Sequence, residues 1–127
     1  MVPAGLSYTD QHEWLKVDGT TVTVGITDFA QEQLTDIVFV ELPDVGRTVA
    51  AGDSVAVLES VKSVADVYAP VAGEVIEVNQ ALEGAPEQVN TAPYEDGWLF
   101  KLKVSGPPDL SSLMDAGAYQ QFIESQG

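Results

Sequence analysis

Short apolar alternations, broken at close intervals by turn residues, dominate this sequence. That pattern constrains the fold more than any other feature, because a period of two is the signature of strands. Val22-Thr23-Val24 reads as a strand after the turn Asp18-Gly19. Ile37 to Leu42 reads as a strand stopped by Pro43, which has no N–H to continue a ladder. Ser54 to Glu59, Ala65 to Tyr68 and Glu74 to Val78 follow. Trp98, Phe100, Leu102 and Val104 alternate with Leu99, Lys101 and Lys103, as on a half-buried strand. Two segments have helical spacing instead. Asp28 to Leu34 predicts a short helix, with Thr27 or Asp28 as N-cap and Gln31 placed for a capping box. Leu110, Leu113, Met114, Tyr119, Phe122 and Ile123 predict C-terminal helices over about 108–127, entered through Pro107-Pro108, the second capped by Asp115. A faint echo links Gly46–Asp53 with Gly73–Asn79, both glycine-started and both ending in a polar turn. It suggests two similar halves flanking a hairpin, in a flattened β-sandwich.

The chain has 127 residues, enough for one domain (1–127) with a modest core, and its apolar content of 45% is that of a folding protein. Without cysteine there is no disulfide, thiol nucleophile or thiolate metal site, and one histidine cannot build a multi-histidine cluster. No apolar run approaches a membrane span. The net charge of −15 repels nucleic acid and anionic membranes. It favours solubility, and it also suits partners with basic docking faces.

Charge singles out one residue. The five cations are Lys16, Arg47, Lys62, Lys101 and Lys103, so Lys62 is the lone positive side chain between Arg47 and Lys101. One predicted strand ends just before Ser60-Val61-Lys62-Ser63 and another begins just after, which puts Lys62 near the tip of a hairpin, exposed yet fixed by the sheet below. A modifying enzyme needs such an amine. Acylation of its nitrogen removes the charge and makes a flexible arm that can visit several active sites while the carrier stays folded. An ordinary exposed turn lysine is the plain alternative.

The flanking residues carry a resemblance. Glu59-Ser60-Val61-Lys62-Ser63-Val64-Ala65-Asp66-Val67-Tyr68-Ala69-Pro70-Val71-Ala72-Gly73-Glu74-Val75 resembles the lipoylation hairpin of glycine cleavage system H proteins. His12-Glu13-Trp14, Val24 to Gln31, Asp36 to Pro43, Val78-Asn79, Pro93-Tyr94, Gly97-Trp98 and Met114 to Tyr119 are similar to further blocks of that family, in order and at matching spacing. The resemblance implies a mainly β, barrel-sandwich hybrid fold (the lipoyl/biotinyl-type flattened barrel), with lipoate in amide linkage to Lys62. It implies a carrier rather than an enzyme. The carrier takes an aminomethyl group from a pyridoxal-phosphate glycine decarboxylase to a tetrahydrofolate-dependent aminomethyltransferase, and a flavin dihydrolipoyl dehydrogenase reoxidises the arm. A lipoyl- or octanoyl-transferring enzyme must install it. By resemblance, Glu59 and Gly73 are the determinants that enzyme reads; alternatively Glu59 is a solvated strand-end charge and Gly73 a turn needing positive φ, and for Gly73 both readings can hold. Glu13 and Asp66 match acidic residues beside a cleft that shelters the loaded arm, where a carboxylate suits an ammonium-like end; both also read as surface acids. His12 reads as structural, and Trp14 and Trp98 as core or wall residues. Thr35 departs from the family, which commonly has glycine there, and so does the polar stretch Glu87-Gln88-Val89-Asn90.

Other classes compete. A biotin carrier would flank its lysine with methionines, where this chain has Val61 and Ser63. A 2-oxoacid dehydrogenase lipoyl domain usually belongs to a longer chain. An H-like lipoyl protein of sulfur oxidation or lipoyl relay is a nearer rival, and an unmodified binding module a further one. An enzyme in its own right would need a nucleophile–base pair, metal cluster or phosphate loop, and the sequence has none of these. The initial Met and the lack of a transit peptide predict a cytoplasmic chain, and an exposed arm with transient partners predicts a monomer.

Overall fold

The computed structural model describes residues 3–106, 110 and 113–126. Nine strands make two sheets among them. The first runs β1 (Ser7–Tyr8), β2 (Glu13–Asp18), β3 (Thr21–Ile26), β9 (Phe100–Lys103), β8 (Gly73–Val78), β5 (Thr48–Val49) in spatial order. The second runs β4 (Ile37–Glu41), β6 (Ser54–Ser60), β7 (Val64–Tyr68). Every strand pair is antiparallel.

Local chemistry explains the boundaries. β2 and β3 pair through Asp18 and Thr21, and Gly19, at φ 63, supplies the positive φ of their two-residue turn. β4 stops before Pro43. Bulges at Val38 and Val55 break the alternation, which leaves Val38 and Phe39 both exposed while Val55 and Ala56 are both buried. β2 was not expected as a strand: Glu13, Trp14 and Leu15 are all buried, then Lys16, Val17 and Asp18 all exposed, so no period of two shows. Leu99 is buried like its neighbour Phe100, against the predicted alternation there, while Trp98 is only half-buried. The echo segments lie side by side, Thr48 opposite Glu74 and Val49 opposite Gly73.

The helix α1 (Asp28–Leu34) is capped by Thr27, whose Oγ1 accepts from the Ala30 N–H at 3.2 Å. The capping box is a correction: the Gln31 side chain bonds the Asp28 Oδ1 at 2.8 Å and accepts from Asn90, rather than reaching back to the cap's backbone. Thr35 ends the helix at φ 65, ψ −150, a region tolerated almost only by glycine. Asn90 braces this corner. Its Nδ2 donates to the Thr35 carbonyl at 2.8 Å and its Oδ1 accepts from Ile37 N–H at 2.9 Å. Two single-turn helices, α2 (Ala81–Gly84) and α3 (Gln88–Thr91), bury Leu82 and Val89.

The C-terminal expectation also needs correcting. One helix, α4 (Ala116–Gln126), is described there, with Asp115 Oδ1 accepting from the Ala118 N–H at 2.8 Å. Met114 is extended, and exchanges two backbone hydrogen bonds with Tyr8. The rest of the predicted first helix lies largely outside the described residues. Between the sheets, Leu15, Val22, Val24, Leu58, Val67, Val75, Phe100 and Leu102 form the main core, and Tyr8, Trp14 and Tyr119 a second cluster beneath α4. Among the described residues, no helix is long and apolar enough to cross a membrane.

Candidate functional site

β6 and β7 form the hairpin whose tip is Val61-Lys62. Ser60 N–H donates to the Ser63 carbonyl at 2.8 Å, closing a two-residue turn. The Ser60 hydroxyl tightens it, since its oxygen accepts from Ser63 N–H at 3.0 Å and lies 3.4 Å from Lys62 N. A third tie comes from outside the hairpin: Val61 N–H donates to the Asp36 carbonyl at 3.1 Å. The tip is therefore held from two sides while the Lys62 side chain stands exposed. Around it Val61 and Val64 are 68% and 65% exposed, unusual for valines and suited to being covered by a partner.

Glu59 and Gly73 do not sit together. Glu59 is half-buried on β6, in a row across the sheet between Phe39 and Val64. Gly73 starts β8 and pairs with Val49. The positive-φ explanation for Gly73 fails, because Gly73 is not among the positive-φ glycines. Its requirement is space: a Cβ there would lie 2.8 Å from the Lys103 carbonyl oxygen and 3.3 Å from Leu102 Cβ. Glycine lets β8 lie closely on β9.

Glu13 and Asp66 line one cleft of about 560 Å³, together with His12, Phe29 and Gln33. Their roles in it differ. Glu13 is only 2% exposed, so it is not a surface acid. Its Oε1 accepts from the Thr9 hydroxyl at 3.0 Å and its Oε2 from the Tyr68 N–H at 2.7 Å, fastening β2 of the first sheet to β7 of the second. Burial pushes its carboxyl up to about 7, against the two hydrogen bonds, which favour the charged form. Asp66 is exposed. Its register with Val57 puts its side chain on the face opposite Leu58 and Ala65, where its Oδ1 accepts from the Ser54 hydroxyl at 3.0 Å. Tyr119 ties α4 to distant segments: its hydroxyl is 2.8 Å from His12 Nδ1 and 2.7 Å from Thr27 Oγ1, and its ring stacks on Tyr8 at 4.7 Å. His12 is structural in this sense, as expected. Trp14 is a core residue donating its Nε1–H to the Pro93 carbonyl, and its ring lies where a Cβ on Gly25 would come within 2.7 Å.

Sequence reasoning missed Thr9, Tyr68 and Ser60. Tyr68 meets Glu13 from 55 residues away, whereas Thr9 lies four residues before it, across a local turn. Ser60, two residues before the lysine and just ahead of a turn, carried a readable signal. No group of three or more metal-binding side chains occurs among the described residues.

Known proteins agree with this architecture. The family model described as glycine cleavage H-protein matches residues 6–126. A glycine cleavage system H protein of Thermus thermophilus is 56% identical over 125 residues, 98% of each chain, and one of Escherichia coli is 57% identical over 127 residues, again 98% of each. The crystal structure of a glycine cleavage system H protein from Mycobacterium marinum superposes with a TM-score of 0.88 at 40% identity, covering 97% of this chain and 99% of that one. The two sheets and their hairpin are thus a lipoyl-type barrel-sandwich. The chain belongs to the glycine cleavage H-protein family, and is a carrier subunit of a multienzyme system rather than a catalyst in its own right.

Proposed function

We propose that Lys62 Nζ carries lipoate in amide linkage, and that the chain moves the aminomethyl group derived from glycine between the enzymes of the glycine cleavage system. The observation that carries this is the exposed Lys62 on a doubly held two-residue turn, in a chain of this family. The residues fit the group. The amine is accessible, its base is rigid, and the surrounding valines offer an apolar footing for the installing enzyme. When bound, the dithiolane supplies thiol–disulfide chemistry and the covalent hold on the cargo. The chain's own residues supply position.

Glu59 and Gly73 act in the modification step, Glu59 by its charge near the tip and Gly73 by keeping β8 seated on β9. Glu13 and Asp66 define the electrostatics of the cleft for the cationic end of the loaded arm. Asp66 is exposed with one oxygen, Oδ1, taken by the Ser54 hydroxyl, whereas both oxygens of buried Glu13 are engaged. The partners are the pyridoxal-phosphate decarboxylase, the aminomethyltransferase, the flavin dehydrogenase and the lipoyl- or octanoyl-transferring enzyme, all met in the cytoplasm.

The test is intact-mass analysis of the chain made beside a competent lipoyl ligase, with Lys62→Arg as its control. The expected result is a lipoyl increment on the parent that maps to the Lys62 peptide, none on the variant, and unchanged circular dichroism. An unmodified parent, or a variant that still supports glycine-dependent one-carbon transfer, overturns the reading.

A further inference from the structure

Asn90, on α3, has both polar atoms of its amide engaged within the protein. Its Nδ2 donates to the Gln31 Oε1 of α1 at 2.9 Å and to the Thr35 carbonyl at 2.8 Å, and its Oδ1 accepts from the Ile37 N–H at 2.9 Å. Between its two backbone partners lies the Asp36 carbonyl, which accepts from the Val61 N–H of the lysine turn, and Ile37 pairs with Ser60 on β6. The segment 35–37 is therefore the outside anchor of the hairpin tip, and Asn90 fixes that segment. Its remaining bond runs to a wall of the cleft. Phe29, Ala30, Gln33 and Leu34 of α1 line the cleft together with Leu58 and Ala65 of the hairpin strands, whereas neither Gln31 nor Asn90 lines it. Gln31 is itself pinned along α1, since its Nε2 donates to Asp28 Oδ1 at 2.8 Å.

We propose that Asn90 is a positioning residue for the loaded arm: by joining α1 to the segment that holds the lysine turn, it keeps the root of the arm in register with the cleft. The proposal rests on Lys62 bearing the arm. The cargo hangs from sulfur through one carbon that also carries nitrogen, and water destroys such a link. Its C–S and C–N bonds both break, the water oxygen becomes the oxygen of formaldehyde, and the water protons pass to sulfur and nitrogen, leaving a thiol and ammonia. Lodging the loaded end in the cleft slows this loss. A tethered end occupies a site according to its effective concentration there, which depends on where the tether begins. A shift of the root against α1 therefore lowers occupancy without altering any residue that touches the arm. A role confined to bracing the strained Thr35 corner accounts for the bonds to Thr35 and Ile37, and leaves the bond to Gln31 without a purpose.

The experiment loads the lipoylated full chain with glycine and the decarboxylase, removes that enzyme, and follows release of formaldehyde and thiol with no partner present. Asn90→Ala removes the whole joint. Gln31→Ala removes only its α1 side, at a half-buried helix position that suits alanine. Val22→Ala is the control, opening a core cavity at the other end of β3 from Ile26, which lines the cleft. The expected result is release accelerated at least about fivefold in Asn90→Ala and about threefold in Gln31→Ala, with Val22→Ala within about twofold of the parent. Amide exchange at Val61 should speed up in Asn90→Ala and stay unchanged in Gln31→Ala. Release at the parent rate in Gln31→Ala, or in a folded Asn90→Ala, overturns the proposal. So does unchanged exchange at Val61 in a folded Asn90→Ala, and so does equal acceleration in Val22→Ala, which traces the effect to general loosening. If Asn90→Ala does not fold, Gln31→Ala against Val22→Ala decides alone. A parent that is not lipoylated, or that takes up no aminomethyl group, instead sinks the carrier reading beneath it.

Discussion

Replacing Thr35 by glycine should stabilise the protein. Thr35 sits at φ 65, ψ −150, and its branched Cβ makes that conformation costly by about 1–3 kcal/mol. Glycine adopts it freely. Against this relief stands the greater freedom of glycine in the unfolded chain, about 0.4–1 kcal/mol. The Thr35 hydroxyl bonds only the exposed neighbouring carbonyl of Leu34, so its loss weighs little. The net gain is about 1 kcal/mol, and for 127 residues that raises Tm by about 4 °C. Urea unfolding, followed by the emission of Trp14 and Trp98, should show a higher midpoint at unchanged slope. Thr35→Ala, which keeps a Cβ, should recover less than half of the gain. The hairpin should be unaffected, because the tie from Val61 N–H runs to the carbonyl of Asp36 and the Asn90 brace to the carbonyl of Thr35, and both are backbone acceptors. A midpoint of Thr35→Gly at or below the parent's would refute the strain argument.

Three further outcomes follow from the same structure. Gly73→Ala drives a Cβ against the Lys103 carbonyl and should cost about 1–3 kcal/mol in urea unfolding, by the usual scale for overpacking; a neutral variant would show that β8 and β9 can separate freely. Glu13 binds its proton more tightly folded, at about 7, than at its ordinary 4.5, so between those values the folded state holds more proton and stability falls as pH rises, levelling above 7. Urea midpoints of the parent and of Glu13→Gln from pH 4 to 8 should diverge across that window; parallel curves would remove Glu13 as the source. Ser60→Ala deletes the hydroxyl that organises the turn and should cost about 0.5–1.5 kcal/mol while speeding amide exchange at Ser63, whereas unchanged exchange would mean the backbone alone holds the tip.

Much of this was readable from the chain. β4, β6, β7, β8 and β9 follow alternating runs with turn residues between them, and the hairpin with its lone lysine follows directly. α1 was legible from its cap. The unreadable parts share a cause: they depend on partners far along the chain. β2 packs three consecutive residues inward because sheet and α4 both cover it. Met114 looked helical by spacing, but Tyr8 takes it as an extended partner. Glu13 looks like a surface acid until the Tyr68 N–H, 55 residues on, closes over it. Gly73 shows its importance in sequence but not the reason, since a positive φ and a crowded neighbour leave the same letter.

The Tyr119 hydroxyl meets His12 across 107 residues of chain. Closing so long a loop is entropically expensive, and its reward comes only once Tyr8, His12 and Thr27 are already in place to receive the ring. The order of assembly follows: the hairpins form early from local contacts, and α4 docks last, as a bolt. The lysine hairpin, closed by local contacts, can thus fold before the Tyr119 ring is seated against His12 and Thr27.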